Sequence, residues 1–172
     1  MAKQSKYYLE IQKRLESTNE INILDTIKEI RYTGKPEIIP LLFELLVHTK
    51  FSRIRQELIT LFCQLKDQNC VPYIIEALSE RKYGEDLAPV ISSCWQSGLN
   101  YSEYMDTFAY LLIDGSYYVA LESFTVIEES AHEATRESIN HCLKILNENK
   151  HRITTEKLPL FKALLDVLHS ML

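Results

Sequence analysis

The stretch Ile38-Ile39-Pro40-Leu41-Leu42 decides the fold of this chain, because its pattern returns 32 residues later as Cys70-Val71-Pro72-Tyr73-Ile74. In both places a proline stands among aliphatic residues at the start of an apolar run. Segment 104–112 continues the series at a similar distance. Similarity at a fixed period of this size is the sequence signature of repeat architectures. The chain is therefore expected to be a row of equivalent units.

Apolar residues elsewhere recur at helical spacing. Between residues 52 and 66, five of them form the stripe that one face of a helix requires: Ile54, Leu58, Leu61, Phe62 and Leu65. No segment shows the sustained period of two that predicts a half-buried strand. We therefore predict an all-α chain with helices near 4–17, 19–32, 36–48, 52–66, 70–80, 86–97, 101–113, 116–129, 133–148 and 156–170.

Glycine and proline mark the ends of these helices. Three glycines follow predicted helix ends, where a positive φ costs glycine little: Gly34, Gly98 and Gly115. Pro40 and Pro89 lie slightly inside predicted helices, where the missing N–H should bend the helix or shift its start. The short connections predict that successive helices pack as antiparallel neighbours.

The helix pattern from Pro36 to Leu46 and the following one from Ser52 to Leu65 resemble HEAT or armadillo-type repeats, as does Asp114 to Ile127. The resemblance covers roughly residues 19–170. It implies an all-α, right-handed, HEAT-like α-solenoid of about four to five antiparallel helix hairpins. We expect one domain over 1–172, with 1–18 as an N-terminal cap helix and helix pairs over 19–170. A solenoid does not by itself imply a ligand.

Composition and charge restrict the function. The 172 residues are 46% hydrophobic and 25% charged, without an apolar run long enough to span a membrane. Four scattered cysteines lack a C-x-x-C spacing and indicate reduced thiols. The net charge is −5, yet residues 83–135 hold nine acids and no Lys or Arg. We expect a cytoplasmic protein that binds neither membrane nor nucleic acid, because this segment repels phosphate.

The resemblance also directs attention to one surface. In HEAT-like repeats the second helix of each pair lines the concave face. Helix 116–129 carries a stripe on its non-core side: Tyr118, Glu122, Thr125 and Glu129. Four further residues are expected to extend this groove or form its rim: Gln96, Tyr101, Tyr104 and Asp106. We expect the groove to bind a protein or peptide of basic character. The alternative is a solvated face that binds nothing, because each exposed ion pair with such a partner would be worth only about 0–1 kcal/mol.

Trp95 is the only tryptophan and falls in core register. We therefore expect a buried anchor between hairpins rather than a residue that stacks on a ligand. Its fluorescence is expected to be blue-shifted.

Enzymatic readings have little support in the sequence. Glu129-x-x-His132 has the spacing of half a di-iron site, and His132-Glu133 is a single His-Glu pair, whereas HEAT-like deoxyhypusine hydroxylases use several. Glu133 also fits a capping box with Ser130. HEAT-like DNA glycosylases present a cationic groove that this chain lacks. We expect a non-enzymatic scaffold or adaptor without metal or cofactor. Two alternatives remain: a metal-dependent or DNA-base-excising enzyme, and a structural subunit of a larger assembly. The sequence leaves the oligomeric state open.

Overall fold

The computed structural model describes residues 5–79 and 87–172, and within these ranges the chain forms helices and turns without any strand. The all-α prediction is confirmed. The helices are α1 (Lys6–Leu15), α2 (Glu20–Thr33), α3 (Ile39–His48), α4 (Ser52–Cys63), α5 (Val71–Ser79), α6 (Ala88–Ser97), α7 (Met105–Asp114), α8 (Tyr117–Ala131), α9 (Arg136–Glu148) and α10 (Leu158–Ser170). None of these helices has the length and apolar character that crossing a membrane would require.

The helices pack in two layers. In the even layer, α2, α4, α6, α8 and α10 pack one against the next; in the odd layer, α1, α3, α5, α7 and α9 do the same. Helix pairs such as α3 with α4 and α7 with α8 join the two layers. Each helix therefore contacts the helix two places along the chain, which is the arrangement of a solenoid. The predicted α-solenoid is confirmed by this packing.

Apolar side chains fill the space between the layers in one continuous cluster, which runs from Ile11 to Leu168. Four residues of the predicted stripe are buried in it on α4, whereas the fifth, Leu65, lies past the end of α4 and is partly buried. Phe62 meets Phe43 edge to face with ring centroids 5.1 Å apart. Aromatic pairs in this geometry add about 0.5–1.5 kcal/mol beyond the area they bury. Burial of apolar side chains between the layers, continued from helix pair to helix pair, forms the solenoid core.

Prolines set where several helices begin. Pro40, Pro72, Pro89 and Pro159 each stand second in their helix, where an amide hydrogen would have no intrahelical acceptor. The expectation that Pro40 shifts the start of its helix is confirmed, since a 3-10 turn over Pro36–Ile38 comes first and α3 begins at Ile39. Similar 3-10 turns lead into α5, α7 and α10.

The predicted start of α9 is wrong. The helix begins at Arg136, and its cap is Thr135, whose hydroxyl oxygen accepts the Ser138 N–H at 3.1 Å. Ser130 lies inside α8, so it forms no capping box with Glu133. Glu133 instead accepts a hydrogen bond from the Asn100 amide at 2.5 Å.

The glycines at helix ends serve two different purposes. Only Gly98 has the expected positive φ, at 71°. Gly34 and Gly115 have extended backbones, and a Cβ on Gly115 would lie 2.6 Å from the Leu111 carbonyl oxygen and against the side chain of Val119. Gly115 is therefore required by close packing and not by its backbone angles.

Candidate functional site

Trp95 and Glu122 form the centre of the candidate site, on neighbouring helices of the even layer. The indole Nε1 of Trp95 on α6 donates a hydrogen bond of 2.9 Å to a carboxylate oxygen of Glu122 on α8. Trp95 is 40% exposed, so the expectation of a buried anchor is wrong. The core positions of this helical turn are taken by Ile91 and Cys94, which leaves Trp95 on the outer side of α6.

The predicted stripe on α8 lies outside the core, beside this hydrogen bond. Tyr118, one turn before Glu122, is 70% exposed, and its ring meets Tyr117 edge-on at 6.1 Å between centroids. The Thr125 hydroxyl donates to the Leu121 carbonyl at 3.3 Å, so its hydrogen is already engaged. Glu129 is exposed. An aromatic side chain and two carboxylates therefore share one face of α8 with Trp95 next to them.

Gln96 continues the surface from α6 towards α4. Its side-chain oxygen lies 3.5 Å from the thiol of Cys63 on α4, and its amide nitrogen donates to the Ser92 hydroxyl at 2.8 Å. The candidate site thus extends over three successive helices of the even layer. We use the name acidic groove for Trp95, Gln96, Tyr118, Glu122 and Glu129.

Tyr101, one of the residues expected at the rim of the groove, lies in the core instead. Tyr101 is only 2% exposed, and its ring packs edge-on against Phe108 with centroids 5.6 Å apart, so the expectation that it forms a rim is wrong. Its hydroxyl is buried beside the Cys94 and Ser97 side chains without a hydrogen bond of good geometry to either, and burial raises the pKa of Tyr101 strongly. The 3-10 turn over Ser102–Tyr104, directly after Tyr101, leads the chain from α6 into α7 of the odd layer.

Tyr104 and Asp106 lie at the start of α7, in the odd layer. Asp106 lines a crevice of about 320 Å³ together with Glu137 and His141 of α9. Asp106 therefore lies beside α9 of the odd layer, and the expectation that Tyr104 and Asp106 border the groove on α8 stays a prediction.

The acidic groove keeps its negative charge. Within the described part of the chain, no Lys or Arg forms an ion pair with Glu122 or Glu129. Elsewhere in the acidic segment, Asp114 does pair with Arg152, which lies after α9. Two of the nine acids, Glu85 and Asp86, lie outside the described residues.

The residues considered for metal binding do not form such a centre in the structure. Over 5–79 and 87–172, no group of three or more His, Cys, Asp or Glu side chains is arranged to hold a metal ion. His132 and Glu133 are both exposed at the end of α8.

No family model matches the sequence, and no curated protein is similar to it. Among solved structures, the chain is similar to a designed armadillo repeat protein, YIII(Dq)4CqI, with 13% sequence identity and a TM-score of 0.34 over 92% of this chain and 98% of that protein. That protein belongs to the repeat class that the sequence resembles. The solenoid arrangement itself rests on the packing of the helices in their two layers.

Proposed function

We propose that this chain is a non-enzymatic interaction scaffold that binds a basic peptide or helix in the acidic groove. The observation that supports this proposal most directly is the hydrogen bond between Trp95 and Glu122. An indole N–H is a neutral donor, so it orients the carboxylate without cancelling its charge. A cationic side chain that reaches Glu122 can also lie against the exposed indole ring, an attraction worth about 0.5–2 kcal/mol.

The extent of the site also favours a peptide over a small molecule. The residues of the acidic groove lie on α6 and α8, Gln96 contacts Cys63 of α4, and the even layer continues to both sides of these helices. Stacked helix pairs create extended binding surfaces of this kind. Tyr and Trp are enriched among the residues that contribute most to interface affinity, and both are exposed here. By analogy with HEAT repeats, we take the even layer as the concave side.

A direct test uses Trp95 as the reporter, since it is the only tryptophan in the chain. A peptide rich in Arg and Lys, and the same peptide with these residues replaced by Glu, would be titrated while tryptophan emission is recorded. We expect saturable binding of the basic peptide alone, with an affinity that falls steeply as salt is raised.

Matched substitutions localise the binding. Glu122→Gln and Tyr118→Ala should each lower the affinity for the basic peptide. Glu137→Gln removes an exposed acid of the odd layer and should leave this affinity unchanged. Equal effects of Glu122→Gln and Glu137→Gln would show non-specific attraction to net charge and contradict the proposal. Affinity that does not depend on salt would contradict its electrostatic part. Stoichiometric iron or manganese in the purified protein would instead favour the enzyme alternative.

A further inference from the structure

A second candidate binding site is lined by residues that precede the acidic segment 83–135 in the chain. Between the end of α2, the start of α3 and the connection from α4 to α5 there is a crevice of about 290 Å³. Aliphatic side chains form its floor, among them Ile38, Ile39, Leu42 and Leu61. Its volume is at the lower end of the range for ligand pockets, about 300–1,000 Å³. Such a space suits a small ligand with an apolar body.

Three cations line the same space: Arg31, Lys35 and Lys66. Asp67 is the carboxylate among the lining residues, and it is engaged in accepting the Asn69 N–H at 3.0 Å. We use the name basic crevice for this apolar floor and its cations. The combination is complementary to a ligand that has an apolar body and one negative end.

The two lysines retain hydrogen-bonding capacity for such a ligand. The Lys66 ammonium donates to the Ser97 carbonyl at 2.6 Å, which leaves two of its three hydrogens. The Lys35 ammonium lies 5.1 Å from the centroid of the Tyr7 ring, a contact that does not neutralise its charge.

Arg31 supplies an unsatisfied donor. Its Nη2 pairs with Glu57 at 3.1 Å, but its Nε is buried and has no hydrogen-bond partner. A buried donor without an acceptor is destabilising, because it has lost its hydrogen bonds to water and gained none in return. Because the Nε is enclosed, the guanidinium has to turn for a ligand oxygen to reach it, and an anion in the crevice would offset the energy of that rotation.

The next repeat along the solenoid shows that repeat packing does not need these cations. Asp67 stands 32 residues after Lys35, and each comes just before a 3-10 turn that leads into a helix of the odd layer. The crevice beside the later turn is lined by Gln68, Val71 and Asn100, among others, and has no Lys or Arg in its lining within the part of the chain that the structure describes. There the Gln68 amide donates to the Asn100 carbonyl at 2.6 Å and accepts the Asn100 N–H at 3.0 Å. Neutral amides therefore satisfy each other in that crevice, whereas cations line the earlier one.

We propose that the basic crevice binds a small aliphatic monocarboxylate, with its chain on the apolar floor and its carboxylate held by the cations that line the crevice. This site is independent of the acidic groove and of the function proposed for it.

The test compares three probes of equal chain length by titration calorimetry: octanoate, 1-octanol and octylamine. Octanoate should bind saturably, about tenfold or more tighter than octanol, and octylamine should bind more weakly than either. Methyl NMR shifts should be confined to the floor residues Ile38, Ile39, Leu42 and Leu61. The double variant Lys35→Gln/Lys66→Gln should lower octanoate affinity to that of octanol and leave octanol unchanged.

A matched control removes two lysines from the other end of the chain. Lys144→Gln/Lys162→Gln changes the net charge by the same amount, and it should not change octanoate binding. Retained octanol binding shows that the crevice is intact in the Lys35/Lys66 variant. The proposal is overturned if octanoate does not saturate, if octanol binds as tightly, or if both double variants act alike. Preference for a peptide with a free C-terminal leucine over octanoate would also overturn it, in favour of a peptide site.

Discussion

Two hydrogen-bonded pairs occupy corresponding places in the even layer, two helix pairs apart. Between α2 and α4, Arg31 holds Glu57 at 3.1 Å across 26 residues of sequence; between α6 and α8, Trp95 holds Glu122 at 2.9 Å across 27 residues. The geometry is shared, but the donor is a cation in one pair and neutral in the other. The first pair neutralises its carboxylate, whereas the second leaves it charged. One scaffold position can therefore serve stability or binding according to the donor.

The largest expected effect concerns the buried ring of Tyr101, which follows α6 in the chain. Tyr101 is buried near Cys94 and packs on Phe108, so Tyr101→Ala should cost about 3–5 kcal/mol of unfolding free energy. Tyr101→Phe should stay within about 1 kcal/mol of the parent, because the hydroxyl makes no hydrogen bond of good geometry with its neighbours. Urea denaturation measures both. An equally severe loss in Tyr101→Phe would show that the hydroxyl is bonded in solution.

The next prediction converts the second pair into the first. The new side chain in Trp95→Arg should form an ion pair with Glu122. The affinity for a basic peptide should then fall by about 2 kcal/mol or more, roughly 30-fold, which is the loss expected when a binding hot spot is removed. Stability should change by about 1 kcal/mol or less, since Trp95 is partly exposed. Calorimetry replaces fluorescence here because the reporter is lost. Trp95→Phe, which keeps an aromatic ring and frees Glu122, should bind more tightly than Trp95→Arg; the reverse order would refute this view of the pair.

Sequence periodicity sufficed for the helices, their antiparallel pairing and the buried stripe on α4, because local spacing determines which face is apolar. It did not suffice for Trp95 or Tyr101. Trp95 lies in apolar register, but smaller neighbours fill the core at its turn. Tyr101 is the first residue of a predicted helix, where sequence alone does not show that the ring turns into the core. Register alone does not say which large side chain the space can hold. Trp95 and Arg31 are equivalent because each donates a hydrogen bond to a glutamate on the next helix of the even layer. This equivalence can be recognised only when α6 and α8 are known to be neighbours.

Lys157 illustrates a contact that local patterns cannot reveal. It is buried, and its ammonium donates to the carbonyls of Leu112, Ile113 and Gly115 at 3.1, 2.6 and 3.0 Å. These carbonyls lie at the end of α7, where a positive charge is favourable. More than 40 residues separate the partners, so only the packing of the last hairpin brings them together.

Alkaline pH should weaken the half of the solenoid that carries Trp95. Burial raises the pKa of the Cys94 and Cys142 thiols to about 12 each, against about 8.5 for an unfolded chain. Above about pH 8.5 the unfolded state therefore binds fewer protons than the folded state. The free energy of unfolding is at its full value below about pH 8.5, and between about pH 8.5 and 12 it falls by about 1.4 kcal/mol per pH unit for each thiol. Urea midpoints between pH 7 and 10 measure this slope. Cys94→Ala should reduce it, and an unchanged slope would contradict the assignment.

The smallest expected effect compares the two pairs directly by double-mutant cycles. For Arg31→Met with Glu57→Gln we expect a coupling free energy of about 0.5–1 kcal/mol that shrinks in high salt, because both members are charged and partly exposed. For Trp95→Phe with Glu122→Gln we expect about 0.5 kcal/mol or less with weaker salt dependence, since one member is neutral. Equal coupling and equal salt dependence would mean that Glu122 is neutralised in solution by a group other than Trp95. In that case the acidic groove would have no free charge to attract a basic partner.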